Sequence, residues 1–332
     1  MKLLQLPSLI QHEVYKNLIS TEMLILSMAS ERIIDSMKQF QWDVTTVRMR
    51  FWEDRLMISF PMKNNNGGYR RNRIEFQTNT FPNVCCIPLV DNSVYYFKHV
   101  FKRPVVMEIH NLAFNLFSRS AELKLQVHLN GIHNYSPIPN VKVASIYVQS
   151  IPIHLIDEFI NSNPELEALQ LEIGSIEGSH SSTMLRVKSL YISFPKVPFT
   201  EYMRHFKGRD ASFWLSNCSK KSSYLVIEFL EKWMKGEYSE NLEFIFLYEG
   251  FRDEAFRDGI LHRFRNELKP WNETGMPRFY RFGSELKSNF EINSEYYDFE
   301  DGFYIERAID GQAALLKLDP RFMSFWILKT DN

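Results

Sequence analysis

Three arginines, Arg70, Arg71 and Arg73, follow Gly67 and Gly68 in the stretch KNNNGGYRRNR. Guanidinium groups suit phosphates and other anions because their N–H donors meet two oxygens at once. Set among asparagines and glycines, however, the run reads as the solvated tip of a hairpin. Glu295, Asp298, Glu300 and Asp301 in EINSEYYDFEDGFYIE have no accompanying base or ligand pattern and read as a solvated acidic loop. The 9 histidines include no HExxH and no spacing suited to a metal. EIGSIEGSHSSTM is Gly/Ser-rich, but it lacks the Gly-Lys-Ser/Thr of a phosphate-binding loop and the G-x-S-x-G of a nucleophile elbow. It reads as a polar connector. No catalytic constellation emerges, and neither a cofactor nor a metal is expected.

The 3 cysteines, Cys85, Cys86 and Cys218, form no CxxC pair and no disulfide framework, which favours a reducing compartment, the cytosol or nucleus. Three N-x-S/T triplets, at Asn134, Asn217 and Asn272, carry no meaning in such a compartment. Lys+Arg 39 against Asp+Glu 40 gives a formal charge of -1, so neither nucleic acid nor a membrane surface is an expected partner. No run of eighteen apolar residues is present. The apolar opening MKLLQLPSLIQHEVYKNLI is broken by Gln5, Pro7 and Gln11, and no small-residue cleavage site precedes Glu13. It is expected to stay on the protein rather than act as a leader.

What, then, positions this apolar opening? Leu9 and Ile10, with Val14 and Leu18 at four-residue steps, make one stripe of an amphipathic helix with Pro7 at its first turn. Ser20 and Thr21 are caps for a second helix that carries Met23, Leu24, Leu26 and Met28. A third starts near Ser30 with Ile33, Ile34 and Met37. Some forty residues cannot bury this much apolar surface by themselves. Either the module docks on the rest of its own chain, which requires Leu9, Ile10 and Leu26 to be buried, or it offers a surface to a partner.

The segment LLQLPSLIQHEVYKNLISTEMLILSMASERIIDSM resembles an F-box. The likeness rests on Leu6-Pro7, on Val14 and Leu18, and on Leu26, Ser27, Ser30 and Arg32 within EMLILSMASER; Glu31 stands where the family prefers Lys. The resemblance implies docking to the Skp-type adaptor of a cullin-based ubiquitin ligase. The residues it assigns to that adaptor are Leu6, Pro7, Leu9, Ile10, Val14, Leu18, Leu24 and Leu26.

Residues 41–120 read as β-rich and irregular. TTVRMRFW and RLMISFPM flank Glu53-Asp54 as a hairpin, RIEFQT and SVYYFKHVF are further strands, and AELKLQVHL alternates cleanly. From residue 141 the pattern φ-x-x-φ-x-φ recurs, where φ is apolar. Its copies are Val143-Ile146-Val148, Leu166-Leu169-Leu171, Val187-Leu190-Ile192, a degenerate Asp210-Phe213-Leu215, and Leu242-Ile245-Leu247. The intervals of 23, 21, 23 and 32 residues lie near the range of leucine-rich repeats. Helical stripes lie between the copies, the longest being Leu225, Val226, Phe229, Leu230, Trp233 and Met234. The helix spacing of Phe229 and Trp233 assigns that indole to the core.

LSNCSKKSSYLVIEFLEKWMKGEYSENLEFIFL is similar to the type 2 F-box-associated domain of Caenorhabditis-type nematodes, through Phe229, Leu230, Trp233, Leu242 and Glu243. YIERAIDGQAALLKL resembles the same family's I-x-R-x-D-G segment through Ile305, Arg307, Asp310 and Gly311. An extra residue precedes the Asp-Gly turn, and Ala-Leu replaces the usual Thr-Ile after it. The expectation is a mixed α/β (α+β) chain in three parts. Residues 1–40 are a small three-helix F-box, and 41–120 are a β-rich connecting region packed on the next domain. Residues 121–332 are that domain, leucine-rich-repeat-like and α/β. The resemblance implies a non-catalytic substrate receptor that binds the adaptor, through it a cullin, and an unidentified target protein. Two other classes are a protein-binding scaffold unconnected with ubiquitin and an enzyme whose site leaves no motif, which would require a deep pocket of convergent titratable groups.

Overall fold

The alternating runs TVRMRF and RLMISFPMK pair as antiparallel strands β1 (Thr46–Phe51) and β2 (Arg55–Lys63), with Phe51 opposite Leu56 and Met49 opposite Ile58. Such pairing puts Val47, Met49, Leu56 and Ile58 in the core. The computed structural model describes residues 3–18, 20–28, 30–40, 42, 44, 46–51, 55–63, 69–77, 85–89, 92–98, 103–117, 124–130, 141–177, 183–193, 199–215, 222–238, 241–249, 254–271, 279–281, 296–298, 300–319 and 322–328. Among them are eight α-helices and a large mixed array of strands, and the chain divides into two units, Met1–Ser145 and Ile146–Asn332. The Glu53-Asp54 turn, Cys218, Glu295, the three Asn triplets and GSHSS lie outside the described residues.

In the first unit the hairpin is extended by β3 (Tyr69–Gln77), β4 (Cys85–Leu89), β5 (Asn92–Lys98) and β6 (Lys124–Asn130), in the order β6-β1-β2-β3-β5-β4. The β1/β6 and β3/β5 pairs are parallel and the others antiparallel. Arg70, Arg71 and Arg73 are not a hairpin tip. Their backbone lies in β3, paired with Met62, Pro61 and Ser59, because β2 runs on to Lys63 and its ladder takes up these residues. Within the stretch expected to be β-rich lies a helix, α4 (Arg103–Phe117), the fourth in the chain. Ile109, Ala113, Leu116 and Phe117 recur on its buried face, whereas Glu108, Asn111 and Asn115 are exposed. Phe117 meets Phe60 of β2 edge-on, with centroids 5.4 Å apart. The three N-terminal helices are α1 (Ser8–Lys16), α2 (Ser20–Ser27) and α3 (Glu31–Met37), after a 3-10 turn at Leu3–Gln5. Of these, α2 packs against α3, α4, β2 and β3, and it buries Met23 and Leu24.

In the second unit strands coincide with the recurring apolar segments, although Val143 and Val148 of the first copy are only half-buried. Its strands are β7 (Val143–Pro152, of which Val143–Ser145 belong to the first unit), β8 (Ala168–Glu177), β9 (Ser189–Ser193), β10 (Asp210–Leu215) and β11 (Phe244–Glu249). Pairing is parallel from β8 through β11. Helices α5 (Ile153–Asn161), α6 (Phe199–His205) and α7 (Ser222–Met234) connect them, and α8 (Glu254–Arg263) follows β11. Next come β12 (Lys269–Pro270), a small β13 (Phe279–Arg281)/β14 (Tyr296–Asp298) pair, β15 (Phe303–Glu306), β16 (Ala313–Asp319) and β17 (Phe322–Ile327). The second unit's strand order is β7-β8-β9-β10-β11-β17-β16-β15-β12, and the last four strands run antiparallel.

Register corrects one copy of the repeat. β10 pairs Ala211 with Leu190 and Ile245, and Phe213 with Ile192 and Leu247. The copy is therefore Gly208-Ala211-Phe213, not Asp210-Phe213-Leu215. Ahead of each neighbouring strand the corresponding residue is a buried apolar one, Val187 or Leu242. Glycine takes that place ahead of β10 because a Cβ there would lie 2.1 Å from the Val187 carbonyl oxygen and 2.5 Å from Cζ of Phe206. Substituting Gly208→Ala should cost well over 1 kcal/mol, since backbone as well as a ring must move; an unchanged urea midpoint would contradict this register.

Helix α7 closes one face of the sheet. It ends where Gly236 adopts φ 73, with Gly236 N–H on the Trp233 carbonyl (2.9 Å) and Glu237 N–H on that of Lys232 (3.0 Å). That is the glycine stop its sequence signals. Phe229 and Trp233 both meet Phe325 of β17 edge-on, at 5.3 and 4.9 Å, and Phe325 pairs with Ile245 of β11. Trp233 is 1% exposed. Arg307 lies over the indole at 5.4 Å and grips Asp310 through both Nε and Nη2. The Arg307 guanidinium holds the Asp310 carboxyl below the ordinary carboxylate range, so this pair's contribution is complete above about pH 4 and is lost as pH falls through the lowered value. Gly311, at φ 74, completes the turn between β15 and β16. The I-x-R-x-D-G-like segment thus clamps a hairpin onto α7. We predict that Trp233→Ala lowers unfolding free energy by about 3–5 kcal/mol in urea titration; a variant that melts like the parent would place the indole outside the core.

Candidate functional site

The first helix turns its apolar side chains outward. Leu9 is 70% exposed, Ile10 46% and Leu6 41%, with Leu4, Pro7 and Met28 also exposed. Val14, Leu18 and Leu26 are half-buried, while Leu24 is fully buried and serves the core. The inner face of α1 is instead polar and aromatic. Tyr15 is fully buried; its hydroxyl donates to Ser36 Oγ at 3.2 Å, Ser36 donates to Gln11 Oε1, and Gln11 Nε2 donates to the Leu6 carbonyl at 2.7 Å. This relay ties α1 to α3 and to the Leu6-Pro7 step. His12 stacks on Phe40 at 4.4 Å, and Trp42 meets Tyr15 edge-on at 6.3 Å. Pro7 sits at the N-cap, where its missing N–H costs no helix bond. Leucine counting finds Leu6, Leu9 and Ile10; the part of Gln11 and Ser36 in holding them out is invisible to it.

A second concentration of chemistry lies in the other unit, where the chain enters β9, β10 and β11. Arg186, Lys188, Lys207, Gly208, Arg209, Asn241 and Glu243 line a shallow depression of about 310 Å³. Backbone bonds hold the first two approaches side by side, Lys207 N–H to the Leu185 carbonyl and Arg209 N–H to that of Lys188, both 2.7 Å. Asp210, fully buried at the start of β10, accepts from Ser189 Oγ and from Arg209 Nε, each at 2.9 Å. Burial pushes the Asp210 carboxyl up, against the lowering effect of Arg209 and Ser189. Arg209 also approaches Glu243 at 3.8 Å. The sequence does carry a signal for this cluster, because RVKS and KGRD put a basic-x-basic triplet directly before successive strands. Correct register is needed to see it.

No family model matches the chain, and no curated protein matches it. No helix among the described residues is long and apolar enough to cross a membrane. The outward face of α1 generates a stability prediction. Leu9→Ser with Ile10→Ser should change unfolding free energy by no more than about 0.5 kcal/mol. Ser36→Ala should cost about 1–3 kcal/mol by stranding the buried Tyr15 hydroxyl. Urea titration of both variants checks this; the reverse ranking would mean that Leu9 and Ile10 pack on the chain's own core.

Proposed function

We propose that the chain is a non-catalytic substrate-recognition subunit of a cullin-RING, SCF-type ubiquitin ligase. Its first three helices act as an F-box that docks on a Skp-type adaptor and through it on a cullin. The second unit, as a leucine-rich-repeat-like F-box-associated domain, holds a target protein. The cytosol or nucleus is the place of action, which the sparse, odd cysteine set supports. One observation carries the reading. Leu9 and Ile10 on α1, and Leu6 just before it, stand outward while polar bonds occupy the inner face of α1. Apolar side chains held out by a satisfied polar lock gain only when another surface covers them, at about 25 cal/mol per Å² removed from water.

Capture of the full chain by an immobilised Skp-type adaptor tests the proposal. Wild-type chain should be retained; Leu6→Ala with Pro7→Ala, and separately Leu9→Asp with Ile10→Asp, should lose retention with an unchanged circular-dichroism spectrum. Equal retention of both variants would overturn the assignment of this face. No retention of the wild type would favour the alternative, a binding scaffold unconnected with ubiquitin.

A further inference from the structure

We propose that the basic depression before β9 and β10 is a docking site for an acidic, extended segment of the target protein. This rests on the receptor reading for what the segment belongs to, but not for its chemistry. Four cations, Arg186, Lys188, Lys207 and Arg209, line the depression with the carboxylate of Glu243, and Arg209 is also paired with the buried Asp210. They come from two chain segments that are bonded side by side. Val187 and Gly208 are buried between them, while Arg186 and Lys207 are exposed and Lys188 and Arg209 half-buried. The buried Asp210 and Ser189 fix Arg209 in place. Arg186 and Lys207 are exposed and make no side-chain ion pair among the described residues, so their charge is available to a ligand. Glu167, immediately before β8, and Glu243, before β11, bracket the patch.

That bracketing limits the positive field to two adjacent approach segments. A nucleic-acid backbone needs a longer basic track, since its charge recurs along the whole strand. A short peptide with carboxylates on alternate residues fits two neighbouring basic triplets, and its main chain lies along the open depression. A phosphate on one side chain offers the same anionic chemistry at higher charge density.

The test titrates the purified full chain with fluorescein-labelled peptides acetyl-Gly-Glu-Ser-Glu-Ser-Glu-Gly-amide, its all-Gln counterpart, and a version whose serines are phosphorylated. The Glu peptide should bind at least tenfold more tightly than the Gln peptide, and binding should weaken as salt rises. Arg186→Glu with Lys207→Glu should lose at least tenfold of that affinity, with a circular-dichroism melt like the parent's. The milder Arg186→Gln with Lys207→Gln serves if reversal disturbs folding. Equal affinity for Glu and Gln peptides, or unchanged binding by both variants, would overturn the site. A phosphopeptide preference of tenfold over the Glu peptide would assign phosphate as the ligand group, while equal binding would assign carboxylate. Competition by a single-stranded oligonucleotide of the same total charge, as strong as by the Glu peptide, would overturn a peptide site. Adaptor capture of the same variants, expected unchanged, separates failure of this site from failure of the receptor reading.

Discussion

The parallel ladder from β8 to β11 is the constraint on which the second unit depends. Once Ala211 pairs with Leu190 and Ile245, every neighbouring side chain is assigned a face, because one residue of slip would exchange inside for outside. Leu190, Ile192, Ala211, Phe213, Ile245 and Leu247 then form one apolar surface that must be covered. Helix α7 covers part of that surface through Phe325, the neighbour of Ile245, and the Arg307–Asp310 clamp holds the far hairpin against Trp233. The same register leaves no room for a side chain at Gly208 and aligns the basic triplets on the surface. Core, clamp and charged depression are three consequences of one set of backbone hydrogen bonds.

Much of this is legible in the sequence, for local reasons. The β1–β2 hairpin, the strands of 141–250 and the glycine stop after α7 each depend on patterns within a few residues, namely alternation or a required positive φ. Trp233 is assignable to the core because it follows Phe229 by one helical turn. Pairing between distant segments is not legible in this way. Apolar content alone favours Phe213 and Leu215 and so sets the Asp210 copy two residues late; only hydrogen bonding to β9 shows glycine filling an apolar position. Helix α4 is hidden because Val105, Val106 and Ile109 are β-branched, and propensity yields to packing on β2. The arginines after Gly68 look like a loop because their partner strand's length is a tertiary fact.

For the candidate docking face, the leucine pattern identifies the residues but not the reason for their placement. The stripe Ile10-Val14-Leu18 suggests a helix with its apolar side inward; the structure leaves Leu9 and Ile10 exposed and Val14 and Leu18 half-buried, and puts Tyr15 in the core. A small rotation of α1 would bury Leu9 and Ile10, with a gain of about 1.5–3 kcal/mol for each side chain fully covered. That rotation would break the relay from Tyr15 through Ser36 and Gln11 to the Leu6 carbonyl, and it would unstack His12 from Phe40. Each buried polar group left without its partner costs about 1–3 kcal/mol. The two sums are of similar size, so polar bonding inside is strong enough to hold apolar surface outside. The arrangement gives up stability in the lone chain to keep a fixed apolar face at Leu6, Leu9 and Ile10, and the relay orients that face before any partner arrives. A partner that covers these side chains recovers the missing burial without the cost of ordering the helix, because Gln11 and Ser36 have already set its orientation.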